Sequence, residues 1–188
     1  MDDILLPPEH SSNAVRLLLE AARLSENEEQ LKIKAEGILE KLCEYYHIPW
    51  NSYTYEHHFK SGNKKVDAVH GSTIIEYESP RSFNASENSR LRHARIQAEE
   101  YASLLSQEEG RHISKYSLVA WDGEAISFGC STENHFSWEP VRIFDSLCLN
   151  RLLSLIANGG RPLVSPLLLK QFIGPDTEVG RRLLPALF

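Results

Sequence analysis

The sequence lacks several things that would assign it quickly. It has three cysteines, Cys43, Cys130 and Cys148, an odd number at wide spacing. No CxxC or Cys/His cluster occurs, so neither a disulfide framework nor a zinc knuckle is indicated. No apolar run approaches the roughly 20 residues needed to cross a bilayer. The opening stretch MDDILLPPEH is acidic and holds two prolines, unlike a signal peptide. The expected compartment is the cytoplasm, with no membrane partner. There is no basic excess either: Lys+Arg is 20 against Asp+Glu 26, a net charge of −6. That argues against a general histone-like nucleic-acid binder but leaves room for a local basic face. No repeat or low-complexity tract appears.

What remains is an ordinary globular composition, 41% apolar over 188 residues. That is enough chain for one cored domain with a small appendage. Residues 1–10 read as an irregular arm. Ser11, Ser12 and Asn13 are candidate caps for a helix over 14–24, and the segment 25–27 caps a second helix over 28–46. Strand formers then take over at 52–59, 66–69 and 72–78, with a tight turn at His70–Gly71. Pro80 ends the last strand, and 81–88 reads as a mobile polar loop. A helix follows over 89–107 and is closed by Gly110. Residues 116–121 and 125–130 form a hairpin on Asp122–Gly123. Helices are expected over 141–156, 166–172 and 176–187.

This order predicts an α/β class, a small mixed sheet flanked by helices with a C-terminal helical extension. The divisions are 1–25 for the arm and first helix, 26–138 for the α/β core and 139–188 for the extension. The apolar repeat near Phe188 suggests an N-terminal piece of a longer chain.

One segment carries chemistry: VDAVHGSTIIEYESP, residues 66–80. Asp67 lies on a short strand, and Glu76 and Glu78 share one face of the next, because strand side chains alternate. The turn brings Asp67 towards Glu76. Two carboxylates and the main-chain carbonyl of Tyr77 make a hard-oxygen site suited to Mg²⁺ (or Mn²⁺). Such an ion orients a phosphodiester and activates a water. The alternative is an edge strand whose solvated carboxylates discourage pairing.

The pattern resembles the PD-(D/E)xK, restriction-endonuclease-like nuclease superfamily. It looks most like the nuclease-like N-terminal region of large restriction–modification and helicase–methylase proteins. Asp67 matches the Asp of the motif and Glu76 its acidic partner. Gln97-Ala-Glu-Glu-Tyr101 matches the Gln-x-x-x-Tyr helix that some members place beside the active site. The resemblance implies metal-dependent DNA cleavage, with Asp67 and Glu76 as metal ligands and Gln97 ordering the site; the alternative is a surface Gln97 and a core-packed Tyr101. It also implies a possible homodimer and a methylase or helicase domain further along.

One departure matters. The Lys of the motif falls at position 78, where this chain has Glu78. Either another residue supplies the cation, or Glu78 is a third ligand or general base, or the site is degenerate. The degenerate form would bind DNA or a partner domain without cleavage. Candidate cations are Lys64, Lys65, Arg81, Arg92 and Arg95. Lys65 comes first, because it lies two residues from Asp67 on the same strand face. Residues 81–95 hold Arg81, Arg90, Arg92, His93 and Arg95, a local basic patch able to grip a phosphate backbone. Arg81, Arg92 and Arg95 are the candidate substrate-binding residues, with Tyr101 beside them. The alternative is a solvated face paired to Glu99 and Glu100. His57, His58 and His70 are weaker ligand candidates, and Glu36 and Glu40 on the long helix are expected to form a solvated stripe, the alternative implied by the resemblance being an extra Glu near the metal.

Overall fold

The computed structural model describes residues 4–50, 52–53, 57–58, 65–131 and 135–159. Two helices lead: α1 (Pro8–Arg23) and α2 (Glu28–Tyr45). Short strands follow: β1 (Ser52–Tyr53), β2 (His57–His58), β3 (Lys65–Val66), β4 (Ala68–His70) and β5 (Thr73–Tyr77). Helix α3 (Ser89–Glu109) precedes β6 (Ser117–Trp121), β7 (Ala125–Ser131), β8 (Phe136–Trp138), β9 (Arg142–Ile143) and α4 (Ser146–Gly159).

The main sheet runs β1-β4-β5-β6-β7-β8, with β9 also on β7, while β2 and β3 pair separately. Only β5 and β6 run parallel among these pairs, and α3 is the connection between them. The class is therefore a mixed α/β sheet flanked by helices, as the order of elements predicts.

Strand β5 is buried at all five positions, because both of its faces are covered. Ile75 and Tyr77 enter a core with Leu18 of α1, Leu31 and Leu39 of α2, and Leu149, Leu152 and Leu153 of α4. Ile74 points the other way, against Ala98, Tyr101, Ala102 and Leu105 of α3. Alternation puts Glu76 on that second face with Ile74. A charged residue thus occupies a core position of the central strand.

Several boundaries differ from the sequence reading. Helix α1 starts at Pro8, not after Ser11–Asn13. Proline is well suited to a first helical position, and Ser11 lies inside the helix with its Oγ donating to the Pro8 carbonyl at 3.1 Å. Residues 141–145 are not helical. They hold β9 and a turn in which Asp145 accepts from the Cys148 amide at 2.8 Å, capping α4 one turn later than expected. Segment 81–88, expected to be a mobile polar loop, is tied down. Phe83 is fully buried, and its amide donates to Asp122 Oδ2 at 2.7 Å. The other Asp122 oxygen accepts from the Glu124 and Ala125 amides. One side chain thus closes the Asp–Gly hairpin and anchors the loop. At Gly129 a Cβ would lie 2.7 Å from the Trp138 ring, so β8 can pack there only because no side chain intervenes. The expected helices at 166–172 and 176–187 lie outside the described residues.

Candidate active site

The β4–β5 hairpin pairs Ala68 with Ile75 and Val69 with Ile74. One further step of that register sets Asp67 opposite Glu76. Asp67 sits at the break between β3 and β4, so its side chain is free to turn inward. Its Oδ2 accepts from the Tyr77 amide at 3.0 Å. Its Oδ1 lies 3.4 Å from Lys32 Nζ on α2. The hairpin therefore brings the two predicted carboxylates to one strand end.

Their electrostatics are unusual. Glu76 is only 4% exposed, and its Oε2 has no hydrogen-bond partner among the described residues. Burial, then the charges of Asp67, Glu28 and Glu78, push its carboxyl well above the ordinary range, with Lys32 opposing them. Burial also raises Asp67, again against Lys32 and the Tyr77 amide. Glu28, in the first turn of α2, is pushed up to about 7 by burial and by Asp67 and Glu78. Asp67, Glu76, Glu78 and Glu28 share one neighbourhood, with Glu29 beside it and Lys32 as the buried cation among the described residues. Such a cluster holds protons near neutrality or accepts a positive ion.

The donor set fits a divalent cation in chemistry: hard carboxylate oxygens, one of them buried and unsatisfied. In geometry the fit is partial. Among the described residues no group of three or more His, Cys, Asp or Glu is drawn together as a metal cage. Asp67 and Glu76 are the two that would hold an ion, with the remaining positions left to water or substrate.

The cation beside Asp67 is Lys32, which the sequence reading did not name. Lys32 is 4% exposed, and its Nζ also contacts Glu29 at 2.6 Å. Burial opposes its charge, but Glu29 and Asp67 outweigh that and raise its pKa. A signal was available: Lys32 and Glu36 fall among Leu31, Ala35, Leu39 and Cys43, the buried stripe of α2. Lysine at core spacing is rarely accidental. The side chain of Lys65, the first candidate, lies outside the described residues, as do those of His57 and His58; Lys64 is outside them altogether.

Glu78 is 2% exposed. Its Oε1 is 3.0 Å from His93 Nδ1 and its Oε2 is 3.7 Å from Arg90, both on α3. His93 hydrogen-bonds one oxygen, while the other, near Arg90, is buried with no hydrogen-bond partner among the described residues. Gln97 hydrogen-bonds the Tyr101 hydroxyl, whose pKa is raised by burial and then by Glu76 and Asp67. The Gln-x-x-x-Tyr pair therefore does face the acids.

The arginines divide. Arg95 is spent on the fold: it donates to Glu87 at 2.8 Å, to Ser127 Oγ at 2.9 Å and to the Glu139 carbonyl at 3.0 Å, and it lies over the Trp138 ring. Most of its donors are therefore engaged within the fold, while its Nε is buried with no hydrogen-bond partner among the described residues. Arg92 is exposed and lines a groove with Asn88, Ser89 and His93. Arg81 is exposed with a positive φ of 63°, in the loop after β5.

A second buried acid lies on the α2 side of the hairpin. Glu36, 1% exposed, accepts from the Tyr77 hydroxyl at 2.6 Å and sits 3.0 Å from His70 Nε2. That pair is close, though His70 is not aligned for a hydrogen bond. The Trp50 ring covers His70 at 4.2 Å between centroids. Glu36 is therefore core, not part of a solvated stripe, while Glu40 is exposed as expected. No family model, no curated protein and no solved structure matches this chain.

Proposed function

We propose that the chain is a divalent-metal-dependent DNA phosphodiesterase, a hydrolase of endonuclease type working in the cytoplasm. The observation that carries this reading is Glu76: a buried carboxylate with an unpartnered oxygen, set opposite Asp67 at the end of a hairpin. The resemblance of the Asp67…Glu76 and Gln97…Tyr101 pattern to PD-(D/E)xK nucleases points the same way.

A bound Mg²⁺ or Mn²⁺ would polarise the phosphodiester and activate a water there. The chain's own residues do the rest. Asp67 and Glu76 supply the oxygen ligands. The Tyr77 amide fixes one Asp67 oxygen, leaving the other to Lys32 and the ion. Lys32 supplies the positive charge that position 78 does not. Arg92 on α3 and Arg81 in the loop after β5, both exposed, would meet the phosphate backbone. A second reading, a module that binds DNA or a partner domain without cutting, is favoured by one observation: an anion stands at position 78 and is engaged by Arg90 and His93. Recognition of a target sequence would fall to a methylase or helicase domain, and cutting of both strands to a homodimer.

The test is cleavage of plasmid and single-stranded DNA in Mg²⁺ and in Mn²⁺. The native chain should cut only with metal, and Asp67→Ala should lose activity by roughly 10³-fold or more, several kcal/mol of barrier. Absence of cutting by the native chain, or equal cutting by Asp67→Ala, overturns the reading.

A further inference from the structure

Resting on that reading, we propose that His93 is the proton-accepting residue of the site and that Glu78 orients it. Position 78 then does not lack a function; the anion there holds an imidazole.

Glu78 is almost wholly buried, directly after β5, on the same side of the strand as Glu76. Its Oε1 lies 3.0 Å from His93 Nδ1. An ionised carboxylate can only accept, so Nδ1 carries the hydrogen. Nε2 is then the basic nitrogen, and among the described residues it has no hydrogen-bond partner. The His93 side chain is 60% exposed and lines the groove shared with Arg92 and Ser89. One nitrogen is therefore fixed from the inside by Glu78, and the other is presented to solvent in the groove. A carboxylate behind an imidazole sets its tautomer and stabilises the imidazolium that forms.

The charged groups around His93 fit this role. Arg90 lies 3.7 Å from the same Glu78 carboxylate. Arg92 and Glu87 line the same groove on α3 and its approach. The Glu78 charge in turn raises the carboxyl groups of Glu28 on α2 and Glu76 on β5.

The step balances with water alone. His93 Nε2 takes a proton from the attacking water as its oxygen bonds to phosphorus. The bond from phosphorus to the leaving nucleoside oxygen breaks with its electron pair, and that oxygen takes a proton from solvent. The imidazolium, balanced by Glu78, then returns its proton to solvent.

The experiment is the pH–rate profile of plasmid cleavage in Mg²⁺ for the native chain, His93→Ala, Glu78→Gln and Glu78→Lys, with DNA binding measured in Ca²⁺. His93→Ala should lower kcat by roughly 10²-fold or more with DNA affinity unchanged. It should also remove the acidic limb of the profile, and added imidazole should restore part of the rate. Glu78→Gln should shift that limb, and Glu78→Lys should cut more slowly than the native chain. Cleavage by His93→Ala within about threefold of native, an unchanged limb, or faster cutting by Glu78→Lys overturns the proposal. If the native chain cuts and Asp67→Ala does not, such a result removes His93 and leaves the nuclease standing. If the native chain cuts under no condition, the nuclease reading itself falls and takes this role with it. Should His93→Ala fail to fold, His93→Gln is the replacement, with the same expected loss and no rescue limb of its own.

Discussion

Glu36 and Glu76 lie on opposite sides of one strand pair and are almost equally buried, at 1% and 4% exposed. Their surroundings differ. Glu36 has a hydroxyl at 2.6 Å and an imidazole at 3.0 Å, both supplied by the hairpin it covers. Glu76 has an oxygen with no partner among the described residues, and three other acids press on it. Burying a carboxylate is costly unless it is paired and hydrogen-bonded. The chain meets that requirement on the α2 side with its own groups. On the α3 side it leaves the requirement open, which is the physical reason for reading that side as the one that takes a cation from outside.

The comparison breaks most readily at Tyr77. Tyr77→Phe removes the hydroxyl and leaves the Glu36 carboxylate buried without its donor. Losing the partner of a buried acceptor costs about 1–3 kcal/mol, and more when the acceptor is charged. The melting temperature in the absence of metal should fall by roughly 2–4 °C for each kcal/mol lost. Glu76→Gln, on the other side of the sheet, should do the opposite and raise it, since it deletes a charge the fold does not pair. If both substitutions destabilise alike, the distinction between the two acids is lost.

A second, smaller effect follows from titration. Glu28 is raised from 4.5 to about 7, and Glu76 is raised as well. A carboxyl with a raised folded-state pKa binds its proton more tightly folded than unfolded. Its contribution is therefore present at pH below 4.5 and is lost as pH rises to about 7. Thermal stability should decline across that window without metal. Mg²⁺ should restore it at the upper end, because an ion that binds only the folded state stabilises it. A stability curve that is flat there, or indifferent to Mg²⁺, would mean the acids around Asp67 and Glu76 are already balanced.

Much of this was readable in residues 66–80, because strand alternation and a two-residue turn dictate where Asp67, Glu76 and Glu78 go. Gln97 and Tyr101, four apart on a helix, were readable for the same reason. Lys32 was missed because it comes from a helix distant in sequence, and no local pattern links it to Asp67. The contacts of Arg95 were not readable because composition shows a charge but not what it binds; its partners Ser127 and Glu139 lie 32 and 44 residues away. The start of α1 was missed because Pro8 reads as a breaker unless it is placed in the first turn. What the sequence conceals in each case is a contact between distant segments.

The same distinction between spent and unspent charge separates two arginines one helical turn apart on α3. Arg95 resembles Glu36: its guanidinium is 15% exposed and bound to Glu87, Ser127 and the Glu139 carbonyl. Arg92 is exposed and, among the described residues, makes no ion pair. Arg95→Ala should therefore lower stability and disturb the β8 edge, with DNA affinity falling only as the fold does. Arg92→Ala should leave the melting temperature unchanged. It should weaken DNA binding uniformly across sequences and reduce the dependence of log K on log salt by about one unit, the signature of one lost phosphate contact. The measurement is a salt titration of DNA binding by fluorescence anisotropy in Ca²⁺. A salt slope unchanged in Arg92→Ala but reduced in Arg95→Ala would reverse the assignment, and would place the phosphate path along β7 and β8 instead of the groove at the start of α3.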